Sequence, residues 1–251
     1  MGDSNKVYGV VVAVVTDNRD PMELGRVKVK YPWLADEFSS DWVRMAMPMA
    51  GPDRGMLFIP EIDDEVLVAF EHGDVNRPFI VGCLWNGVDK PPLKNSDAVP
   101  SNVDFRRIKT RYGHIIELED TAGKGRIVIH TPGGQRIVLF DGMPGGVSII
   151  NKDGREFFSD NMGQIGFVGK SGFEVVVDDM MKYVTIKHGA GHHITLNVGS
   201  IDIDSSAMVN IKGSGPISIS GPMVNINSGP AATNPGRPNP NKEHTKGAKG
   251  T

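Results

Sequence analysis

The densest group of reactive side chains lies at residues 61–74, where Glu61, Asp63, Asp64 and Glu65 are followed by Glu71, His72 and Asp74. Paired carboxylates serve glycoside acid/base chemistry, and mixed His/Asp/Glu sets hold metals. The intervening EVLVAF at 65–70 reads as a strand, so the two groups fall at its opposite ends and are expected to be solvated turn charges. A second group, His188, His192 and His193, has poor spacing for a closed site in one chain, because neighbouring strand residues point to opposite faces. Threefold symmetry would turn one histidine into three ligands, so an axial ion or polar layer stays open there, beside exposed or hydrogen-bonded histidines.

Other chemistry also fails to assemble. GQIGFVGKS at 163–171 is one register away from a phosphate-cradling loop, and FEVVV after it reads as a strand where a helix is needed. Asp178, Asp179, Asp202 and Asp204 have no matching base or ligand set and are expected to face solvent or enter turns. Ser218 and Ser220 alternate with Ile217 and Ile219 and have no activating His/Asp partner. Cys83, between Val81 and Leu84, is expected to be a small buried hydrophobe. No catalytic, cofactor-binding or metal-ligating residue is therefore assigned, and no enzyme is expected.

The elements explain why. With 31 glycines and 17 prolines against 10 Phe, 4 Tyr and 3 Trp, the 251-residue chain is rich in turns and poor in bulky core anchors, unlike a compact α/β enzyme. The formal charge of −3 supplies no field for nucleic acid or an anionic membrane, and Lys28, Lys30 and Arg44 lack a series of stacking aromatics. Protein partners and no nucleic acid are expected. The first residues, MGDSNKVYGV, lack the pattern of a Sec signal, and no apolar run approaches the roughly 18 residues of a membrane span.

Five short strands are expected in the first third, at residues 7–15, 25–31, 42–47, 65–70 and 79–84, with GRVKVKY showing the period of a half-buried strand. So small an antiparallel sheet protects its edges by closing, which predicts an OB-like barrel. Met45, Met47, Met49 and Met56 fit either core filling or an adaptable contact surface.

The order of motifs 7–15, LGRVKVKYPWL at 24–34, SDWVRM at 40–45, PEIDDEVLVAFEHGDVNRPFIVG at 60–82 and LWNG at 84–87 resembles the OB-type domain of the baseplate assembly protein V and VgrG spike family. These are central spikes of contractile phage tails, type VI secretion systems and related injection particles. The resemblance covers roughly residues 7–90 and implies a homotrimer at the tip of a tube. It places Gly25, Pro32, Trp33, Asp41, Trp42, Pro60, Gly73, Asp74, Pro78 and Gly82 at fold-forming positions, none of them catalytic. Six residues precede the motif, so a separate hub protein is expected. The segment at 86–102 is too short for the lysozyme-like domain of some phage relatives.

Residues 1–89 are thus expected to form the barrel, 90–105 a proline-bearing linker, 106–230 a needle and 231–251 a flexible or tip-associated tail. The needle shows β strokes at 114–119, 126–130, 136–140, 147–151, 173–178 and 184–187. Then come the pairs Ile194/Leu196, Ile201/Ile203, Val209/Ile211, Ile217/Ile219 and Val224/Ile226, advancing by seven, eight, eight and seven residues. Strokes this short need stacking, and about eight residues make little more than one side of a β-helix, so three chains sharing each layer resolve the shortage. The fold class is all-β, an OB barrel followed by an intertwined triple-stranded β-helix in a homotrimer, with a β-sandwich as the alternative. About twelve layers at about 4.8 Å would give a shaft of order 60 Å.

The expected function is a mechanical spike of a particle assembled after cytoplasmic synthesis and delivered outward on contraction. The expected partners are a hub, inner tube or baseplate components, a tip protein that the family resemblance makes PAAR-like, a cargo, and transiently a target membrane. A trimeric receptor- or glycan-binding tail protein is the alternative, and a glycan-cleaving needle a third.

Overall fold

The computed structural model describes residues 6–33, 39–100 and 102–225. The expected tail at 231–251 and Ile226 lie outside them. The described chain is nearly all β, and it divides into one unit ending at Asp204 and another beginning at Ser205.

The first part is a barrel. Strands β1 (Val10–Asp17), β2 (Lys28–Lys30), β3 (Arg44–Met45), β6 (Glu65–Phe70) and β7 (Pro78–Cys83) form a sheet in the order β2-β1-β6-β7-β3, with a small hairpin of β4 (Ala50–Gly51) and β5 (Arg54–Gly55) beside it. Val27 and Val43 exchange both backbone hydrogen bonds, at 3.1 and 2.8 Å, which joins the β3 end of the sheet back to the β2 end. That bridge removes the open edges that so small a sheet would otherwise expose. Alternation along each strand puts Ala13, Val15, Val27, Val29, Val43, Val66, Val68 and Ile80 inside, with Tyr31 and Phe70 closing the core.

The β1–β2 loop is locked by one carboxylate. Asp20 accepts from Arg26 through Nε at 2.9 Å and Nη2 at 2.7 Å, and from the backbone N–H groups of Met22, Leu24 and Arg26. The Arg26 guanidinium, helped by those N–H groups, holds the Asp20 carboxyl well below the usual carboxylate range.

Past the barrel, a short helix α1 (Asn95–Ala98) precedes a second sheet of eleven strands. These are β8 (Phe105–Lys109), β9 (Ile115–Glu119), β10 (Arg126–His130), β11 (Arg136–Phe140), β12 (Gly146–Ile150), β13 (Glu156–Asp160), β14 (Gln164–Val168), β15 (Glu174–Asp178), β16 (Tyr183–Lys187), β17 (His193–Leu196) and β18 (Ile201–Asp204). Each pairs antiparallel with the next, so one chain builds a continuous meander from β8 to β18. Stacked at about 4.8 Å, eleven strands span roughly 50 Å. Among the described residues of 205–225 no strand forms.

Three strands here, β8, β13 and β14, are additional to the expected strokes. The glycine-rich 163–171 segment is strand β14 followed by a turn, and Gly166 has no room for a side chain, because a Cβ there would stand 2.6 Å from the Val175 carbonyl oxygen and 3.0 Å from the Phe158 ring on the neighbouring strands. Two expectations are corrected. Cys83 is exposed, because it is the last residue of β7, past the part of the strand that faces the core. Asp178 is buried between its neighbours: directly across from Gln164, it accepts from Gln164 Nε2 at 2.8 Å and, at the turn that follows β15, from Met181 N–H at 2.6 Å.

Because its folded-state pKa is depressed, the Asp20 contribution to stability is present above the unfolded value near 3.9 and is lost as pH falls through the folded one. Asp20→Asn is expected to lower the midpoint of denaturant unfolding at pH 7. The gap from the unsubstituted chain should close as the pH is taken below about 4. An equal gap at pH 7 and pH 2.5 would contradict this role.

Candidate assembly interface

The two faces of the eleven-stranded sheet differ in chemistry. On one face, cross-strand partners run Ile108, Ile116, Ile129, Ile137, Ile149, Phe157, Phe167, Val175, Ile186, Ile194 and Ile203, each opposite the next. A parallel column on the same face runs Arg106, Leu118, Ile127, Leu139, Val147, Ser159, Ile165, Val177, Val184, Leu196 and Ile201. Two polar residues interrupt these columns. Arg106 turns to the end of the sheet, bonding the Val103 carbonyl at 3.2 Å and pairing with Asp120. Ser159 is the other.

These columns stay open in a single protomer. Ile116 is 41% exposed, Ile149 47% and Phe167 56%. Isolated exposed apolar residues are ordinary, but two continuous columns over eleven strands form a patch far larger than soluble monomers leave in water.

The reverse face carries most of the charges beside apolar residues such as Val128, Val138, Ile150, Phe158 and Val176, and towards the two ends of the sheet several charges pair directly across strands. Arg107 bonds Glu117 through Nε at 2.6 Å, Arg126 pairs with Glu119, Lys187 bonds Glu174 at 2.9 Å and His193 approaches Asp204 at 3.0 Å. Thr185 and Thr195 share a 3.1 Å hydroxyl contact. Between them, Val128, Phe158 and Val176 are buried, each flanked two residues away on both sides by polar side chains. Opposite charges directly across an antiparallel pair stabilise that register and penalise a slip.

The candidate chemical residues are dispersed. Asp64 caps the Glu61 N–H at 2.8 Å, Glu65 accepts from Asn86 at 3.2 Å, and Glu71 pairs with Arg77 at 3.3 Å, so each carboxylate serves a turn at one end or the other of β6. His188 stacks edge-on against Phe173 at 4.4 Å and its Nδ1 accepts from the Ala190 N–H, while His193 turns to Asp204. Asp202 accepts from Asn197 and Ser200. Among the described residues, no group of three or more His, Cys, Asp or Glu is placed to hold a metal, and no helix is long and apolar enough to cross a membrane.

The positions singled out in the barrel have turn and packing surroundings. Gly73 has φ +76°, and a Cβ there would meet the Tyr8 ring at 3.1 Å; Gly25, at φ +69°, lies under Leu57. Asp74 accepts the Asn76 N–H, Pro60 is buried with its carbonyl bonded by Asn18 at 3.0 Å, and Lys28 sits over the Trp42 ring at 5.2 Å. Pro78 opens β7 opposite Phe70, and Gly82 pairs with Leu67. Pro32 and Trp33 form an exposed turn, and Asp41 is exposed, its carbonyl receiving the Ser40 hydroxyl.

Of the repeat pairs, Ile194, Leu196, Ile201 and Ile203 complete the apolar columns. Val209, Ile211, Ile217, Ile219 and Val224 are exposed and outside any strand. The earlier columns were written in the sequence as an apolar-x-apolar unit in nearly every stroke, with strands β10 to β13 starting every ten residues.

Comparison with known proteins matches residues 11–85 to the type VI secretion system/phage-baseplate injector OB domain, and 164–230 to the phage baseplate V C-terminal trimerisation domain. The chain is 34% identical over 107 residues to the type VI secretion system spike protein VgrG2a of Pseudomonas aeruginosa, a match covering 41% of this chain and 13% of the relative. It is 36% identical over 115 residues to the actin cross-linking toxin VgrG1 of Vibrio cholerae, covering 43% of this chain and 10% of that one. A third relative, the spike protein VgrG1b of P. aeruginosa, is 32% identical over 127 residues, 46% of this chain and 17% of the relative. This chain thus spans only a small part of the length of the relatives it matches. With an injector OB domain and a baseplate V trimerisation domain in one all-β chain, the protein belongs to the baseplate V and VgrG-like central spike family of contractile injection systems.

Proposed function

We propose that this chain is the non-enzymatic central spike of a contractile injection machine, working as a homotrimer. The observation that carries the reading is the pair of apolar columns running from β8 to β18, open in one protomer and matched to nothing else in the described chain. Three such sheets closed face-inward bury one another's columns around an axis parallel to the strand stack, with the paired charges outward. The trimerisation domain supports three copies, and the length of the patch, on a sheet whose strands pair only with one another, supports their closing as a prism.

Closure also gives the mechanical property. Backbone hydrogen bonds between strands lie along the shaft, and load down the axis compresses that stack. The described residues 207–225 carry no strand in one chain, and in this reading they become strands when other copies supply the neighbours. In this reading the barrel seats the trimer on a hub or tube end, and the far end of the needle supports a separate PAAR-like tip protein. Residues 90–105 act as the linker, and the barrel at 1–89 and needle at 106–230 as base and shaft. Surrounding components supply the work of contraction. The chain is made in the cytoplasm, assembled into the particle, and driven outward with its cargo through a target envelope.

Two measurements test this. Ile149→Asp places a charge in the middle of an apolar column and is expected to convert a trimer to monomer or aggregate in light scattering, whereas Lys152→Ala in the adjacent turn should leave the mass unchanged; an unaltered trimer in Ile149→Asp would contradict the inward-facing columns. A structure of the assembled particle should place a threefold shaft of this chain on the tube axis. A peripheral position, ending on carbohydrate, would instead support a receptor-binding tail protein.

A further inference from the structure

The hairpin turns on the two edges of the eleven-stranded sheet differ in chemistry. On the edge beside the Leu118–Leu196 column, consecutive turns at 141–145, 161–163 and 179–182 carry Met143, Met162, Met180 and Met181. All four are exposed, Met143 at 91% and Met181 at 73%. On the opposite edge, the turns at 131–135, 151–155 and 169–173 read TPGGQ, NKDGR and GKSGF, without a methionine. That edge instead borders an apolar groove of about 710 Å³ on the inward face.

The groove coincides with gaps between turns. In a meander the turns alternate edges, so each turn on one edge stands level with a gap between two turns on the other. The groove is lined from Arg136 to Ile150, then from Glu156 to Val168, then from Glu174 to Ile186: three successive gaps, level with the turns that carry Met143, Met162 and Met180/Met181.

Symmetry connects the two edges. The apolar columns run through all eleven strands, so the axis they close around is parallel to the stack, and rotation about it moves a residue around the shaft without moving it along. Each edge of one copy therefore meets the other edge of its neighbour at the same height. We infer that the methionine-bearing turns of one copy insert, rung for rung, into the groove of the next copy, making the seam of the trimer heterologous and self-registering. Methionine suits such a seam, because its unbranched, polarizable side chain fills irregular apolar gaps and makes favourable contacts with aromatic rings. The groove offers such rings in Phe157 and Phe167, whose centroids are 4.9 Å apart, and in Phe173.

The inference rests on the trimer reading, and the experiment separates the two. In the full chain with Cys83→Ser, two level pairs are introduced separately, Met181→Cys with Phe173→Cys and Met162→Cys with Arg155→Cys. A displaced pair, Met143→Cys with Phe173→Cys, is offset by about three strands, or roughly 14 Å along the axis. Within one chain, residues at opposite ends of a five-residue strand stand roughly 17 Å apart, well beyond the about 7 Å a disulfide spans, so any bond formed joins two copies. After mild oxidation, the level pairs are expected to give mostly covalent dimers and trimers on a denaturing gel and the displaced pair only monomer. A trimer by solution mass whose level pairs stay monomeric, or whose displaced pair bonds as well, overturns the seam and leaves the trimer standing. A monomer by mass in the unsubstituted chain overturns both.

Discussion

Two columns of branched and aromatic side chains, open to water over eleven strands, are the constraint on which the rest of this molecule depends. At about 25 cal/mol for each Å² of apolar surface removed from water, a face of that length cannot remain solvated in a stable soluble protein. A second sheet or a helical layer would cover it in a single-chain fold, but the chain spends its residues lengthening the sheet instead. In the proposed trimer association is then part of folding, because other copies provide the remaining walls of the interior.

The reverse face determines which residues reach those columns. A slip of one residue in any strand would send its apolar set outward and break the interior at that level. Oppositely charged or hydroxyl pairs placed directly across β8–β9, β9–β10, β15–β16, β16–β17 and β17–β18 hold the register without contributing to the interior. In the proposed trimer these pairs set alignment within a chain towards both ends of the sheet, and the apolar columns join chains. The proposed force-bearing shaft would gain from this division, since sliding one strand past the next separates ion pairs and exposes apolar surface together.

The barrel is built by another rule. Its core is complete within one chain, and the Val27–Val43 bridge closes it. Its reactive-looking residues are turn-makers: Asp64, Asp74 and Asp20 each satisfy backbone N–H groups at bends where the chain reverses. The same acidic types that suggested catalysis in the sequence are those that turns select, because a short carboxylate can accept from N–H groups a few residues before or after it.

Alternation and turn residues in the sequence determined the all-β class, the five barrel strands and most strokes of the shaft, because strand periodicity is local: GRVKVKY and RIVIH state their buried and open sides within a few residues. The late pairs from Ile194 to Ile203 were equally legible for the same reason. Strand β14 was obscured by its glycines, since Gly166 yields its side chain to the Phe158 ring of a neighbouring strand, a contact invisible along the chain. Asp178 looked solvated for the same reason: its burial comes from Gln164, fourteen residues earlier and directly across the sheet. Only the tertiary structure decided that eleven strokes pair consecutively within one chain, and that their apolar residues align into two continuous columns with methionine turns on one edge and a groove on the other. Register is a relation between strands, and no single strand's periodicity contains it.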